Sequence, residues 1–71
     1  MFDYTKLKER ITKYFKCDVN FAIKMGISER TLSLKLNNKV DFSQKQVLKA
    51  CELLEIPLSE VNVYFFALKV Q

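Results

Sequence analysis

Gly26 is the only glycine in the chain, and it stands between two helix-like runs. Asp18 to Met25 reads as a short helix in which Phe21, Ala22 and Met25 share one apolar face. A second run opens at Ser28, one residue beyond Ile27. Short helix, glycine turn and second helix together outline a helix-turn-helix. A glycine just past a helix end enters the left-handed region without a Cβ penalty, so its position fixes where the first run stops. The stretch from Asp18 to Lys39, DVNFAIKMGISERTLSLKLNNK, is therefore the unit that the rest of the chain has to hold.

Seventy-one residues allow a single domain, 1–71, with the motif at about 18–37. A domain of this size buries only about 60% of the surface its unfolded chain exposes, so packing has little margin. With 49% apolar and 28% charged residues the chain is of folded composition. One glycine and one proline are too few for the turns of an all-β fold, which points to an all-α chain with short connections.

Five helices account for most of the length. The first runs from Asp3, a capping residue, to Phe15, with Tyr4, Leu7, Ile11 and Phe15 on one face. Three later helix starts share one design, an apolar residue, a serine cap, and an apolar residue four positions after the cap. These are Ile27-Ser28-Leu32, Phe42-Ser43-Val47 and Leu58-Ser59-Val63. Gln46, three residues after Ser43, completes a capping box. The third helix is expected to reach Leu36 or Asn37. The fourth spans Gln44 to about Leu54, with Val47, Leu48, Cys51 and Leu54 as its core face. Ile56-Pro57 breaks the pattern, and a short fifth helix spans Ser59 to about Tyr64. The tail, about 65–71, is aromatic and nearly uncharged, and reads as extended. It either packs back across the first and last helices or meets a second chain.

Several classes of function fall away. No run approaches the ~18 apolar residues of a membrane span, and MFDYTKLKER lacks the apolar core of a signal peptide, so a cytoplasmic chain is expected. Cys17 and Cys51 have neither metal-like nor redox spacing and are read as reduced. Without histidine, a metal cluster, a glycine-rich phosphate loop or a nucleophile–base pair, neither a cofactor nor an enzyme is expected. The net charge of +4 favours an anionic partner, nucleic acid above all, only modestly. Asp3 to Lys16 carries five basic and two acidic residues, the largest local excess, on a face that is either simply solvated or meets phosphates.

The residues from Phe21 to Lys39, FAIKMGISERTLSLKLNNK, resemble the helix-turn-helix unit of the phage repressor and Cro group. Phe21, Ala22, Gly26, Ile27, Ser28, Leu32 and the closing Asn37-Asn38-Lys39 occupy the places of that pattern. The MFDY start, GISERTLSLKLNNK and the YFF-rich end look like small regulators from the switch region of temperate phages. Some of these are Cro-like, and others are modulators of repression, antirepressors that bind the phage's own repressor. The resemblance implies a five-helix, phage-repressor-like helix-turn-helix domain with a short C-terminal tail. Its implied partners are double-stranded operator DNA or the phage repressor, with a homodimer in the DNA-binding case.

In that family the second motif helix enters the major groove by its N-terminal end, so its outward side chains are the candidate readers. With Leu32 and Leu36 turned inward, Glu29, Arg30, Ser33 and Leu34 face outward. Arg30 suits guanine, Glu29 the cytosine amino group, Ser33 a base or phosphate, and Leu34 a thymine methyl. By resemblance Asn20, Asn37 and Lys39 lie near the phosphate backbone. Ser28 is first a helix cap, and Lys35 reads as a solvated lysine. The family's usual Thr or Ser followed by Gln is here Cys17-Asp18, which sets a carboxylate where phosphate would approach. Glu29 adds a second negative charge, and Asn38 replaces the usual glycine of the closing turn. Leu34 flanked by Arg30 and Glu29 also reads as an apolar anchor with a charged rim for a protein partner.

Overall fold

The computed structural model describes residues 1–70 and holds five α-helices. They are α1 (Thr5–Phe15), α2 (Asp18–Met25), α3 (Glu29–Leu36), α4 (Gln44–Leu53) and α5 (Val61–Phe65). A 3₁₀ turn, Leu58–Glu60, leads into α5. The core is built from every helix: Leu7 and Ile11 of α1, Phe21 and Ala22 of α2, Leu32 of α3, Ala50 of α4 and Phe65 of α5 are all buried. No described helix is long and apolar enough to cross a membrane.

The serine caps at Ser28 and Ser43 form as expected. Ser28 Oγ accepts from Thr31 N–H at 3.0 Å, and Ser43 Oγ accepts from Gln46 N–H at 3.1 Å. Gln46 Oε1 accepts in return from Ser43 N–H, closing the capping box. Each cap contributes about 1 kcal/mol. Asp3 is not the cap of α1, a place held by Tyr4; it lies two residues before the helix, its carboxylate accepting from Thr5 N–H at 2.9 Å.

Three helices end in the same closing turn. Gly26, Asn38 and Glu55 each adopt positive φ, and the next N–H returns to a carbonyl five residues back. Ile27 N–H reaches Ala22 C=O at 3.1 Å, Lys39 N–H reaches Leu34 C=O at 2.8 Å, and Ile56 N–H reaches Cys51 C=O at 2.9 Å. This satisfies carbonyls that a helix end otherwise leaves open.

Three further expectations need correction. Leu48 is exposed, and Ala50 takes its place in the core of α4. At roughly 100° per residue, Val47, Ala50, Cys51 and Leu54 cluster on one side, while Leu48 is rotated out of it. The third serine cap does not form. Ser59 lies inside the 3₁₀ turn set by Pro57, with Glu60 N–H bonded to Pro57 C=O at 2.8 Å, and Leu58 is exposed. Lys35 is buried rather than solvated. Its stem lies in the core while Nζ emerges to donate to Asp41 C=O at 2.8 Å and sits over the Phe42 ring.

The tail packs back. Asp3 N–H donates to Ala67 C=O at 2.7 Å and Lys69 N–H to Met1 C=O at 3.0 Å, making an antiparallel bridge of Phe2 with Leu68. Phe2 stacks edge-on against Phe66, and Tyr4, Phe42 and Phe65 continue the ring contacts inward. Residue 71 lies outside the described residues.

Candidate functional site: the outward face of the second and third helices

The turn between α2 and α3 is held from beneath. Lys49 of α4 donates to Met25 C=O at 3.4 Å, beside Gly26. The two helices pack against each other, so α3 leaves the turn in one direction with Leu32 and Leu36 inward. Glu29 and Arg30 are exposed in the first turn of α3, and Ser33 is exposed one turn on. These three share the outward side of the helix.

The other candidates are placed differently. Leu34 is half-buried, so it offers less outward surface than its apolar character led one to expect. Asn37 is exposed, but its amide is turned back on α3 and donates to Ser33 C=O at 2.8 Å and to Ser33 Oγ at 3.3 Å. Asn20 likewise uses its amide within the chain, donating to Phe15 C=O at 2.8 Å across the α1–α2 turn. Lys39 is exposed, just beyond the closing turn of α3. Glu29, Arg30 and Ser33 thus form one group, and Asn20, Asn37 and Lys39 lie around it on helix ends and turns.

One feature of this face is absent from the sequence reading. Val19 and Ile23 of α2 are 41% and 68% exposed. They are four residues apart, on the side of α2 opposite Phe21, Ala22 and Met25. The signal was available, since two apolar residues at helical spacing lie off the core face. Lys24 is exposed on the same helix, and Asp18 is half-buried in its first turn, where a carboxylate suits the helix dipole. The α2–α3 pair thus exposes apolar area at Val19 and Ile23 and carries charges of both signs at Asp18, Lys24, Glu29 and Arg30.

Hydrogen bonds from Thr5 hold Asp3 below the usual carboxylate range, and burial pushes the Tyr4 hydroxyl and the Cys51 thiol up. Among the described residues no group of His, Cys, Asp or Glu side chains is arranged to hold a metal. Cys17 is exposed and Cys51 buried, both free.

A capped, glycine-turned helix pair on a five-helix core defines a small all-α protein of five helices. The chain belongs to the family described as "Protein of unknown function (DUF739)", whose model matches residues 1–68. Among solved structures it is similar to the modulator of repression (MOR) of the temperate bacteriophage TP901-1 from Lactococcus lactis. The two share 46% identity with a TM-score of 0.83, over 99% of this chain and 95% of that one. No curated protein matches it. The resemblance to temperate-phage regulators and the all-α, five-helix fold are thereby both shown, and the relative is by name a regulator rather than an enzyme.

Proposed function

We propose that this protein is a regulator in a temperate-phage genetic switch, and that it acts on the phage repressor through the outward face of α2 and α3. The carrying observation is the composition of that face. Val19 and Ile23 supply exposed apolar area on α2, and Asp18, Lys24, Glu29 and Arg30 give the same two helices charges of both signs. Protein interfaces combine an apolar centre with a charged rim, whereas a phosphate-facing surface is predominantly positive. Asp18 and Glu29 repel phosphate at close range but can pair with basic groups of a DNA-binding partner. Similarity to a modulator of repression supports the same reading. Occupation of the repressor's DNA-binding surface would release it from its operator.

A second reading has the protein bind operator DNA directly. It draws on the exposed outward side of α3, where Arg30 and Ser33 can meet base edges. In that case a dimer with half-sites about one helical turn apart is required.

Titration of labelled operator with this protein, with and without the cognate repressor, separates the two. The first reading expects no site-specific binding alone and release of bound repressor. Specific binding alone would favour the second, and a joint complex on DNA would make the protein a corepressor. Ile23→Ala is expected to weaken repressor binding about tenfold or more, as loss of a central apolar anchor does. If Ile23→Ala and Leu34→Ala both leave affinity unchanged, the α2–α3 face is not the contact surface. For Asp18→Gln, stronger association with DNA is expected from loss of carboxylate repulsion.

A further inference from the structure

We infer that the exposed side of α1 is a docking surface for the phosphate backbone of duplex nucleic acid, independent of base sequence and separate from the α2–α3 face. The segment that contains α1 carries the whole net charge of the chain, and +3 of it stays exposed once Arg10 is turned inward. Thr5 to Lys16 holds Lys6, Lys8, Arg10, Lys13 and Lys16 against Glu9 alone, a net +4. The remaining residues carry seven basic and seven acidic side chains and sum to zero.

The structure sorts these charges. Arg10 is turned inward, donating to Leu54 C=O at 2.9 Å and Glu55 C=O at 2.8 Å, between the Tyr14 and Tyr64 rings. Lys6, Lys8, Lys13 and Lys16 are exposed, and none donates a side-chain hydrogen bond among the described residues. The exposed arc of α1 therefore keeps lysines, compact point charges, with Lys6 and Lys13 on one flank, Lys8 on the other and Glu9 between them, and withholds the arginine whose fork would favour bidentate recognition of bases.

The surroundings select the partner. The apolar side of α1 is taken up by the core at Leu7 and Ile11, and its exposed residues, Thr5, Lys6, Lys8, Glu9, Thr12 and Lys13, include no apolar side chain. Insertion into a membrane surface needs an apolar face, and a protein hot spot needs an aromatic or aliphatic anchor. Stacking on single-stranded bases needs exposed rings, whereas Tyr14 and Phe15 are half-buried. A duplex asks for none of these. It carries a charge about every 1.7 Å of its axis, and an 11-residue helix spans about 16 Å.

The test is fluorescence anisotropy of the full chain with a labelled duplex of arbitrary sequence, without repressor, across a salt series. Four lysine–phosphate contacts give a slope of log K against log salt of about −3.5, or roughly a 100-fold loss between about 50 and 200 mM salt. Combining Lys6→Gln, Lys8→Gln and Lys13→Gln should flatten the slope to about −1 and weaken low-salt binding at least tenfold. The matched control, Lys45→Glu with Lys69→Gln, removes the same three units of charge elsewhere and should leave the slope within about one of the parent. Circular dichroism checks that both variants fold. The inference is overturned by absence of duplex binding at low salt, or by a control that loses as much as the α1 variant. Equal binding to vesicles containing anionic phosphatidylglycerol, lost with the same three lysines, would overturn it too. None of these readouts uses the repressor, so failure of repressor binding leaves the inference standing.

Discussion

The Asn38 side-chain amide accepts from Phe2 N–H at 2.8 Å and donates to Phe2 C=O at 2.9 Å, as a strand neighbour would. Its own backbone sits at φ 62°, closing α3. Glycine would satisfy the second requirement and not the first, which explains an asparagine at this place. Asn38→Gly is expected to lose about 1–2 kcal/mol through the two hydrogen bonds, and Asn38→Ala about 1 kcal/mol more through left-handed strain. Urea unfolding midpoints measure both. The buried Lys35 makes a related point, because an aliphatic stem can fill a core site while its ammonium reaches a carbonyl. Cysteine chemistry follows burial. Native protein should take up one equivalent of a thiol-alkylating reagent at Cys17, with Cys51 protected until unfolding, as mass spectrometry would show. Asp3 gives a pH signature. Its carboxyl is depressed in the fold, so its contribution is present above the unfolded value of about 4 and is lost as pH falls through the folded one. Asp3→Ala should lower the thermal midpoint near neutral pH and make little difference in strong acid.

At the level of elements, α4 is anchored at both ends by unlike devices. The capping box at Ser43 and Gln46 is local and readable from four consecutive residues. The C-terminal end depends on Arg10, some 44 residues away in sequence, whose guanidinium meets the Leu54 and Glu55 carbonyls. Arg10→Lys should not restore the stability lost in Arg10→Ala, because one ammonium cannot serve two carbonyls and two rings in this geometry. A loss of about 2–3 kcal/mol is expected for Arg10→Ala, read by denaturant unfolding, since bonds to charged groups are the stronger kind. Leu48 is more apolar than Ala50, but helical phase and not apolarity decides which of them α4 buries. Leu48→Glu should therefore change stability by less than about 0.5 kcal/mol, while Ala50→Leu overpacks the core and costs about 1–3 kcal/mol.

Across the whole molecule, the two chain ends form one structure. Met1 to Asp3 lies between the Asn38 amide on one side and the 67–69 backbone on the other. Removal of residues 67–71 should destabilise the fold by about 1–3 kcal/mol, since the backbone partners of Met1 and Asp3 at Lys69 and Ala67 are lost. Thermal unfolding and sedimentation of the truncated chain would show the loss of stability and whether mass changes with it. Leu48, Leu58 and Phe66 remain exposed along one groove with Phe42, Val47 and Val61, on α4, the 3₁₀ turn and the tail.

The local plan was legible because it is local. Gly26, the caps at Ser28 and Ser43, and the apolar spacing of α1, α2 and α3 each act through hydrogen bonds or contacts within a few residues, so their identities suffice. The candidate site was legible only in part. Glu29, Arg30 and Ser33 fall where helical spacing puts them, but the amides of Asn20 and Asn37 were assigned to phosphate without regard to the carbonyls nearest them. The inward turn of Arg10, the burial of Lys35, the half-burial of Leu34 and the exposure of Val19 and Ile23 depend on which neighbours arrive from distant parts of the chain. The same holds for the opening feature of the chain. Gly26 alone decides that α2 ends and α3 begins, while the packing of α1 and α4 against that pair decides which side chains are left facing outward.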